Sequence, residues 1–439
     1  MLGSHRDDQR AGGALARIVI AAAAGLLAGC ASLSEWIAPS TDRVKPEIHV
    51  DRLYEELYPR YVELCAVSQI LPKDGRPGGI PGHAVLYLKG ACRDESSPYP
   101  RLKACDGAAP TDHGVGISVN RWFKNVNWVA TPGRFLFFRG AVPPERVLDA
   151  SEVDRAAKHA IELGMYRGIE LHEYPTDAPE RSIEDFVERE SLGTDFALNF
   201  GRTAHCSRVP ITASMLDSAI AYLNQLNDAY ARTEVDYEWS GFSDNCAHTV
   251  HNALAAAGIW KPEAVRATKI RQLLDLAVPA NEFVYLAERS NHLPIESFDS
   301  LYEDPAALST LERHDWLPTT HGALVETYHV HQLNEVYESD YRLLGLESPF
   351  THGLDRRADL LQTDARLTEL HTNLVYFIER YRRVLAAEEE VRRHTAHLDQ
   401  DYRDTLSRYY GWVRKQLADA EAKLARYMAA KANQADALE

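Results

Sequence analysis

The hydrophobic pattern changes period several times along the chain. Leu53, Leu57, Tyr61 and Leu64 fall at helical spacing, so residues 51–70 are predicted as a helix leading into a Gly/Pro-rich turn from Lys73 to Gly82. The run His83-Ala84-Val85-Leu86-Tyr87-Leu88 is short, apolar and bounded by glycines, which predicts a buried strand entered at a histidine. His113-Gly114-Val115-Gly116-Ile117-Ser118-Val119 predicts a second strand that also begins on histidine. Asn127–Ala130 and Arg134–Phe138, on either side of Pro132-Gly133, predict two more in an antiparallel meander. Gly114 and Gly116 would leave room beside the sheet for a close neighbour. Helical periodicity returns at Ser151–Gly164 and Met215–Tyr230, the latter with Leu216, Ile220, Leu223 and Leu226 on one face. Glu170–Tyr174, Phe196–Asn199 and Arg208–Ile211 read as loops and edge strands.

Ser243, Asp244 and Asn245 are helix-starting residues, and Val250, Leu254 and Ala257 follow at helical spacing until Gly258. This puts Cys246 in the first turn of a helix. Beyond Trp260, residues 265–276 look helical, 281–350 mix short elements, and Gly322–Val325 with Tyr328–Val330 suggests a strand. From about Asp355 onward the windows are charged and helical. Leu367, Leu370, Leu374, Phe377, Ile378, Tyr381 and Leu385 form one stripe, and Tyr402, Leu406, Tyr409, Val413, Leu417 and Leu424 another. Two long helices in a hairpin fit, breaking near His397–Asp401, with the stripes packing on each other or taking a coiled-coil partner.

The N-terminus reads as an address. Arg6, Arg10 and Arg17 precede an apolar run, Ile18–Leu27, too short to span a membrane, and Leu27-Ala28-Gly29-Cys30 follows. Residues 31–50, with Pro39 and Pro46, read as a tether. The chain has 439 residues, 45% of them hydrophobic, enough for two or three packed domains. Its net charge of −16 argues against nucleic acid as a partner, because a phosphate-tracking surface needs a basic excess.

Six cysteines are present. Setting aside Cys30 and Cys246 leaves Cys65, Cys92, Cys105 and Cys206, an even number that suits two disulfides in an oxidising compartment. Cys92 with Cys105 would staple a short loop, and Cys65 with Cys206 would then remain; the sequence leaves connectivity open and buried thiols are the alternative. Cys246 itself reads either as a nucleophile, made acidic by the helix N-terminus, or as a small buried hydrophobe. His248 with His251, and His329 with His331 near His321, have metal-like proximity but no known zinc spacing, so no metal and no cofactor is expected. Trp122, Trp128, Trp239 and Phe242 suit a groove or the core.

Two resemblances sharpen these expectations. Leu27-Ala28-Gly29-Cys30 resembles a bacterial lipobox, which implies cleavage before Cys30, lipid on its thiol and amine, and, with Ala31 next, an outer-membrane address facing the periplasm. Gly82-His83-Ala84-Val85-Leu86-Tyr87 and Asn245-Cys246-Ala247-His248 resemble motifs of the circularly permuted papain-like thiol enzymes. That group includes permuted NlpC-like cell-wall peptidases and the lecithin:retinol acyltransferase group, and the resemblance covers roughly residues 75–260. It implies Cys246 as nucleophile, His83 as general base and His113 as the residue that orients the imidazole, with Asp112 or Asn127 as alternatives because the 89–112 loop is long. Asn245 and Asp244 would support the helix start or the oxyanion. The expected fold is α+β, an antiparallel sheet packed on helices with a C-terminal helix hairpin. The expected division is signal peptide 1–29, tether 30–50, catalytic domain 51–260, extension 261–354 and hairpin 355–439. The expected function is a lipid-anchored hydrolase or acyltransferase that works through a thioester on peptidoglycan peptide or lipid acyl groups. The alternative is a silent scaffold that binds an envelope protein partner through its helical hairpin.

Overall fold

Tyr61–Val67 (β1) is buried at every position, and this decides its conformation. A strand covered on both faces has no polar side to alternate with, so its apolar residues coincide with helical spacing as readily as with a strand. The expected helix over 51–70 is therefore a short one, Arg52–Leu57, followed by Pro59 and then the strand. In the computed structural model, which describes residues 33–37, 52–68, 71–72, 82–105, 113–172, 182–241, 244–261, 278–338, 342–346 and 354–436, β1 lies inside a six-stranded antiparallel sheet. The other strands are His83–Lys89 (β2), Gly114–Val119 (β3), Trp128–Pro132 (β4), Ala204–Pro210 (β5) and Leu324–Tyr328 (β6). Their order is β6-β5-β1-β2-β3-β4, and β2-β3-β4 form the expected meander. The signal peptide, Cys30, Asp112, Phe242, Ser243 and the helix expected over 265–276 lie outside the described residues.

Alternate residues of the sheet enter two separate cores. Val62, Leu64, Ala66, Ala84, Leu86 and Ile117 join a cluster with Ala247, Val250 and Leu254 of the helix Cys246–Ala256, and with Phe283 and Leu286 of Pro279–His292. Tyr61, Cys65, Val67, Val85 and Tyr87 join the other, with Phe377 and Tyr381 of Leu370–Thr395 and with Tyr409, Trp412 and Val413 of Gln400–Asp436. The fold is thus mixed α/β, with helices on both faces of one sheet and a C-terminal helix pair. The pair packs on itself and on the sheet's second core, and Asp399 caps its second helix by accepting from Tyr402 N at 2.8 Å. Among the described residues, no helix is long and apolar enough to cross a membrane.

Three further elements differ from expectation. Arg134-Phe135-Leu136-Phe137-Phe138 is not a strand but the start of a short helix, Arg134–Arg139 (α1), bracketed by Gly133 and Gly140, both at positive φ. Tertiary packing overrides the β-preference of its phenylalanines: Phe137 lies on Gly116, where any Cβ would collide with its ring. Of the stretch Arg208–Ile211, read as loop or edge strand, Arg208, Val209 and Pro210 belong to β5, which is buried throughout and hydrogen-bonded on both sides. Within the segment expected as a tether, Leu33–Ile37 pairs antiparallel with Arg342–Leu346. The segment beyond residue 278 contributes β6 to the same sheet, so it completes the layer that carries β2.

Cys65–Cys206 and Cys92–Cys105 are disulfides, and among the described residues Cys246 is the cysteine left free. The first joins directly opposed residues of β1 and β5. The second closes a loop with a sequence separation of 13. Replacing both Cys92 and Cys105 by alanine is expected to lower stability by about 3 kcal/mol, the chain-entropy value for a loop of that length. Urea unfolding checks this; a variant indistinguishable from the parent would mean that the loop is already ordered without the link.

Candidate functional site

Cys246 is the first residue of the helix Cys246–Ala256 (α2). Asn245 is the N-cap, extended in backbone, and its Oδ1 accepts from His248 N at 3.2 Å while its Nδ2 donates to Gly241 O at 2.9 Å. Both functions of that amide are spent on building the helix start. Asp244 contributes through its backbone, paired with Ser240 in both directions, and its carboxylate accepts from Tyr230 OH at 3.4 Å. At the far end Gly258, at φ +90°, ends the helix: its N–H reaches Ala255 O at 2.9 Å and Ile259 N–H reaches Leu254 O at 3.0 Å, the paired pattern of a left-handed cap. The helix is thereby pinned at both ends, and its N-terminus abuts the start of β2. There the Ala84 N–H donates to Cys246 Sγ at 3.4 Å.

His83, the residue before Ala84, is held from behind. Its Nε2 lies 2.9 Å from Ser118 Oγ on β3. Ser118 Oγ in turn reaches Asp195 Oδ1 at 2.8 Å and Thr194 O at 3.0 Å. The hydroxyl has one hydrogen, and both of these partners accept only, so the bond to His83 is one in which Nε2–H donates to Ser118. The lone pair of the imidazole is then on Nδ1. Asp195 is wholly buried; its Oδ2 accepts from Ser191 Oγ at 2.7 Å and Asn120 Nδ2 at 3.0 Å, and its backbone carbonyl accepts from Thr131 Oγ1 at 2.8 Å.

His113, expected to orient the imidazole, is at the wrong end of the sheet. β2 and β3 are antiparallel, with Leu86 opposite Ile117 and Lys89 opposite Gly114. The two strands therefore begin at opposite ends, and His113 O accepts from Gly90 N, seven residues along β2 from His83 and roughly 20 Å away at strand spacing. His113 instead lies against the Cys92–Cys105 disulfide. Continuing the same register brings Ser118 and Asn120 to the His83 end. Asn127, the other described candidate, accepts from Thr249 of α2 at 2.9 Å and takes no part in holding His83.

Burial dominates the electrostatics. It pushes the Cys246 thiol up from its ordinary value, against the N–H groups of Ala84, Ala247 and Cys246 itself and the charge of Arg202. The direction runs against the expectation of an acidic thiol at the helix N-terminus: although Cys246 keeps some exposure, desolvation of the thiolate outweighs those N–H groups and Arg202. Burial, with Arg202 adding to it, takes His83 down to about 3. Burial raises Asp195 to about 6 despite its three side-chain donors and Arg202. At neutral pH the thiol of Cys246 and the imidazole of His83 are both uncharged.

Sequence reasoning missed Ser118, Asp195 and Arg202. Ser118 was legible in principle, since antiparallel pairing alone puts the end of β3 beside the beginning of β2. Asp195 and Arg202 sit in irregular segments, Gly193-Thr194-Asp195 and Gly201-Arg202-Thr203, that carry no periodic signal. Three of the histidines whose spacing suggests a metal site have structural partners. His251 reaches Glu282 Oε2 at 3.0 Å and stacks on Trp260; His321 reaches Asp419 Oδ2 at 3.0 Å; His331 reaches Arg139 Nη1 at 3.0 Å. Trp128 is core, its Nε1 donating to Leu223 O at 2.8 Å. Among the described residues, the two groups with metal-ligand proximity each contain a disulfide, whose sulfurs are no longer thiolate ligands. Comparison of the chain with family models, with curated proteins and with solved structures finds no match.

Proposed function

We propose that this protein is a thiol hydrolase or acyltransferase with a permuted papain-like core. In this reading it is held in the cell envelope, at the outer membrane facing the periplasm, by lipid on Cys30, and acts on an amide or ester of peptidoglycan or of a lipid. The observation that carries the proposal is the 3.4 Å hydrogen bond from Ala84 N–H to Cys246 Sγ, which joins the free thiol to the residue next to a histidine whose tautomer is fixed. The helix start and the Ser118–Asp195 pair supply the parts of a thiol triad from three distant segments.

The chemistry follows from the resting state. As a carbonyl approaches, His83 Nδ1 takes the thiol proton while the sulfur bonds to the carbonyl carbon and the C=O electron pair moves onto oxygen. Ser118 holds Nε2–H, and Asp195 behind it stabilises the imidazolium that forms. The backbone N–H groups of the first turn of α2 face the developing oxyanion. Collapse expels the leaving group, which takes the proton from His83, and leaves a thioester on Cys246. Water, an amine or a hydroxyl, deprotonated by His83, then releases the acyl group. A neutral pair suits this order, because charge is created only when a substrate is present.

Incubation with p-nitrophenyl acetate, an acid quench and peptide mass spectrometry test the proposal. The native protein is expected to acquire one acetyl group on Cys246, removable by neutral hydroxylamine as thioesters are, and absent from Cys246→Ser. Labelling no faster than that of the urea-unfolded chain would reject an enzyme site and leave a scaffold that binds through its helix pair.

A further inference from the structure

Arg202 stands at the end of the sheet where His83 begins β2. Val67 of β1 pairs with His83 on one side and with Ala204 of β5 on the other, so the three form one row across the sheet. Arg202 lies two residues before Ala204. The chain there is fastened by Ser68 N–H to Thr203 O at 2.8 Å and by Thr203 N–H to Ser68 Oγ at 2.9 Å.

Its guanidinium is buried, and among the described residues no carboxylate lies at ion-pair distance from it; Asp195 acts on it only from farther off. Arg202 is 4% exposed, and among the described residues its enclosed Nε and Nη1 have no hydrogen-bond partner. Arg134 and Arg208, also buried at the sheet, spend their terminal nitrogens on carboxylates, Arg134 on Glu63 and Arg208 on Glu63 and Glu326, and Arg139 places Nη1 on His331. Arg202 is electrostatically coupled to Cys246, His83 and Asp195, which places its charge within the same site. Leaving a planar fork of donors unanswered in a dry site is costly, and an anion that enters the site removes that cost.

We propose that Arg202 binds a carboxylate of the substrate's acyl portion, placed within a few bonds of the carbonyl that Cys246 attacks; this rests on Cys246 being the nucleophile. One guanidinium neutralises one carboxylate, whereas a phosphate dianion would leave a second negative charge buried near Asp195. The chain's net charge of −16 repels anions at long range, so selection of an anionic acyl group has to come from a local cation. The substrate class is then an amide or ester whose acyl side bears a free carboxylate, rather than a neutral fatty acyl chain.

Two alkylating reagents that differ only in charge test this. With iodoacetate or iodoacetamide the sulfur forms a bond to the CH2 carbon, the C–I bond breaks, iodide leaves and the thiol proton passes to His83 or solvent. The ratio of the iodoacetate rate to the iodoacetamide rate at Cys246 is compared with the same ratio for free cysteine in the same buffer. The ratio at Cys246 is expected to be higher by about tenfold or more. Arg202→Gln is expected to slow both reagents, through the less acidic thiol, and to return the ratio to that of free cysteine; Arg202→Lys, which keeps charge but loses the fork, should fall between. If Arg202→Gln does not fold, the wild-type ratio and the lysine variant decide. Acetate is expected to protect against iodoacetate better than inorganic phosphate at equal ionic strength, and the reverse order would overturn the carboxylate assignment. A wild-type ratio equal to that of free cysteine, or one unchanged in Arg202→Gln, would overturn the role of Arg202. Normal acetylation of Cys246 alongside such a result would leave the thiol-enzyme reading intact, whereas a Cys246 inert to both reagents and to p-nitrophenyl acetate would remove both.

Discussion

Replacing His83 by alanine is expected to slow acetylation of Cys246 by p-nitrophenyl acetate roughly 10²–10⁴-fold, the usual contribution of a positioned proton acceptor. The loss should be large because burial pushes the thiol up from its ordinary value, so that little thiolate exists at neutral pH without a base to take the proton. The pH profile separates this role from a structural one. His83 is held down to about 3, so its own protonation should not limit the rate between pH 4 and 7. Asp195, raised to about 6, is a carboxylate above that pH, when it accepts from Ser118 and keeps Nε2–H of His83 as the donor. Below it Asp195 carries a proton and becomes a donor, and the tautomer is no longer fixed. The rate should therefore fall as pH drops through about 6, and Asp195→Asn should abolish that inflection while lowering the plateau. An inflection that persists in Asp195→Asn would assign it to His83 and would contradict the buried neutral imidazole. Circular dichroism of each variant controls for folding.

Glu63→Gln is expected to cost roughly 3–5 kcal/mol of folding stability at neutral pH, the range for removing one partner of a buried ion pair. Glu63 is fully buried in β1, and its carboxylate receives Arg134 Nη1 at 2.5 Å and Nη2 at 3.1 Å, Tyr328 OH at 2.8 Å and Arg208 Nη2 at 3.4 Å. These partners come from α1, β6 and β5, so one carboxylate ties the interior strand to its neighbours. Burial alone would raise its pKa; Arg134 and Arg208 reverse this and hold it at about 2 instead of 4.5. The sign follows. Between those values the unfolded chain binds a proton that the native state does not, so the stability from Glu63 is complete above 4.5 and is lost as pH falls toward 2. The gap between parent and Glu63→Gln in urea unfolding should narrow over that range. A gap independent of pH would mean that the substitution acts by packing alone. Replacing Glu63 and both arginines together by apolar residues of similar volume should be much less harmful than Glu63→Gln, since no buried charge is then stranded.

Local chemistry determines much of the site's raw material without any tertiary contact. The helix beginning at Cys246, its Asn245 cap and its Gly258 stop follow from residue types whose preferences act over a single turn. The strand starting at His83 and the hairpin of long helices follow from apolar patterns that run uninterrupted. Where a segment is buried on both sides the pattern carries less information, which is why Tyr61–Val67 resembled a helix and β5 resembled an edge. Arg134–Phe138 had the composition of a strand, yet it is a helix that lays Phe137 on Gly116, where the missing Cβ leaves room for its ring. Which residue stands behind His83 depended on strand direction, a property of the pair rather than of either strand: antiparallel pairing carried His113 away and brought Ser118 in. Asp195 and Arg202 reach the site from irregular chain, where no period marks them. The acidity of the thiol was a tertiary matter too, because the N–H groups of the first turn belong to the helix, whereas the desolvation that outweighs them belongs to everything packed around the thiol.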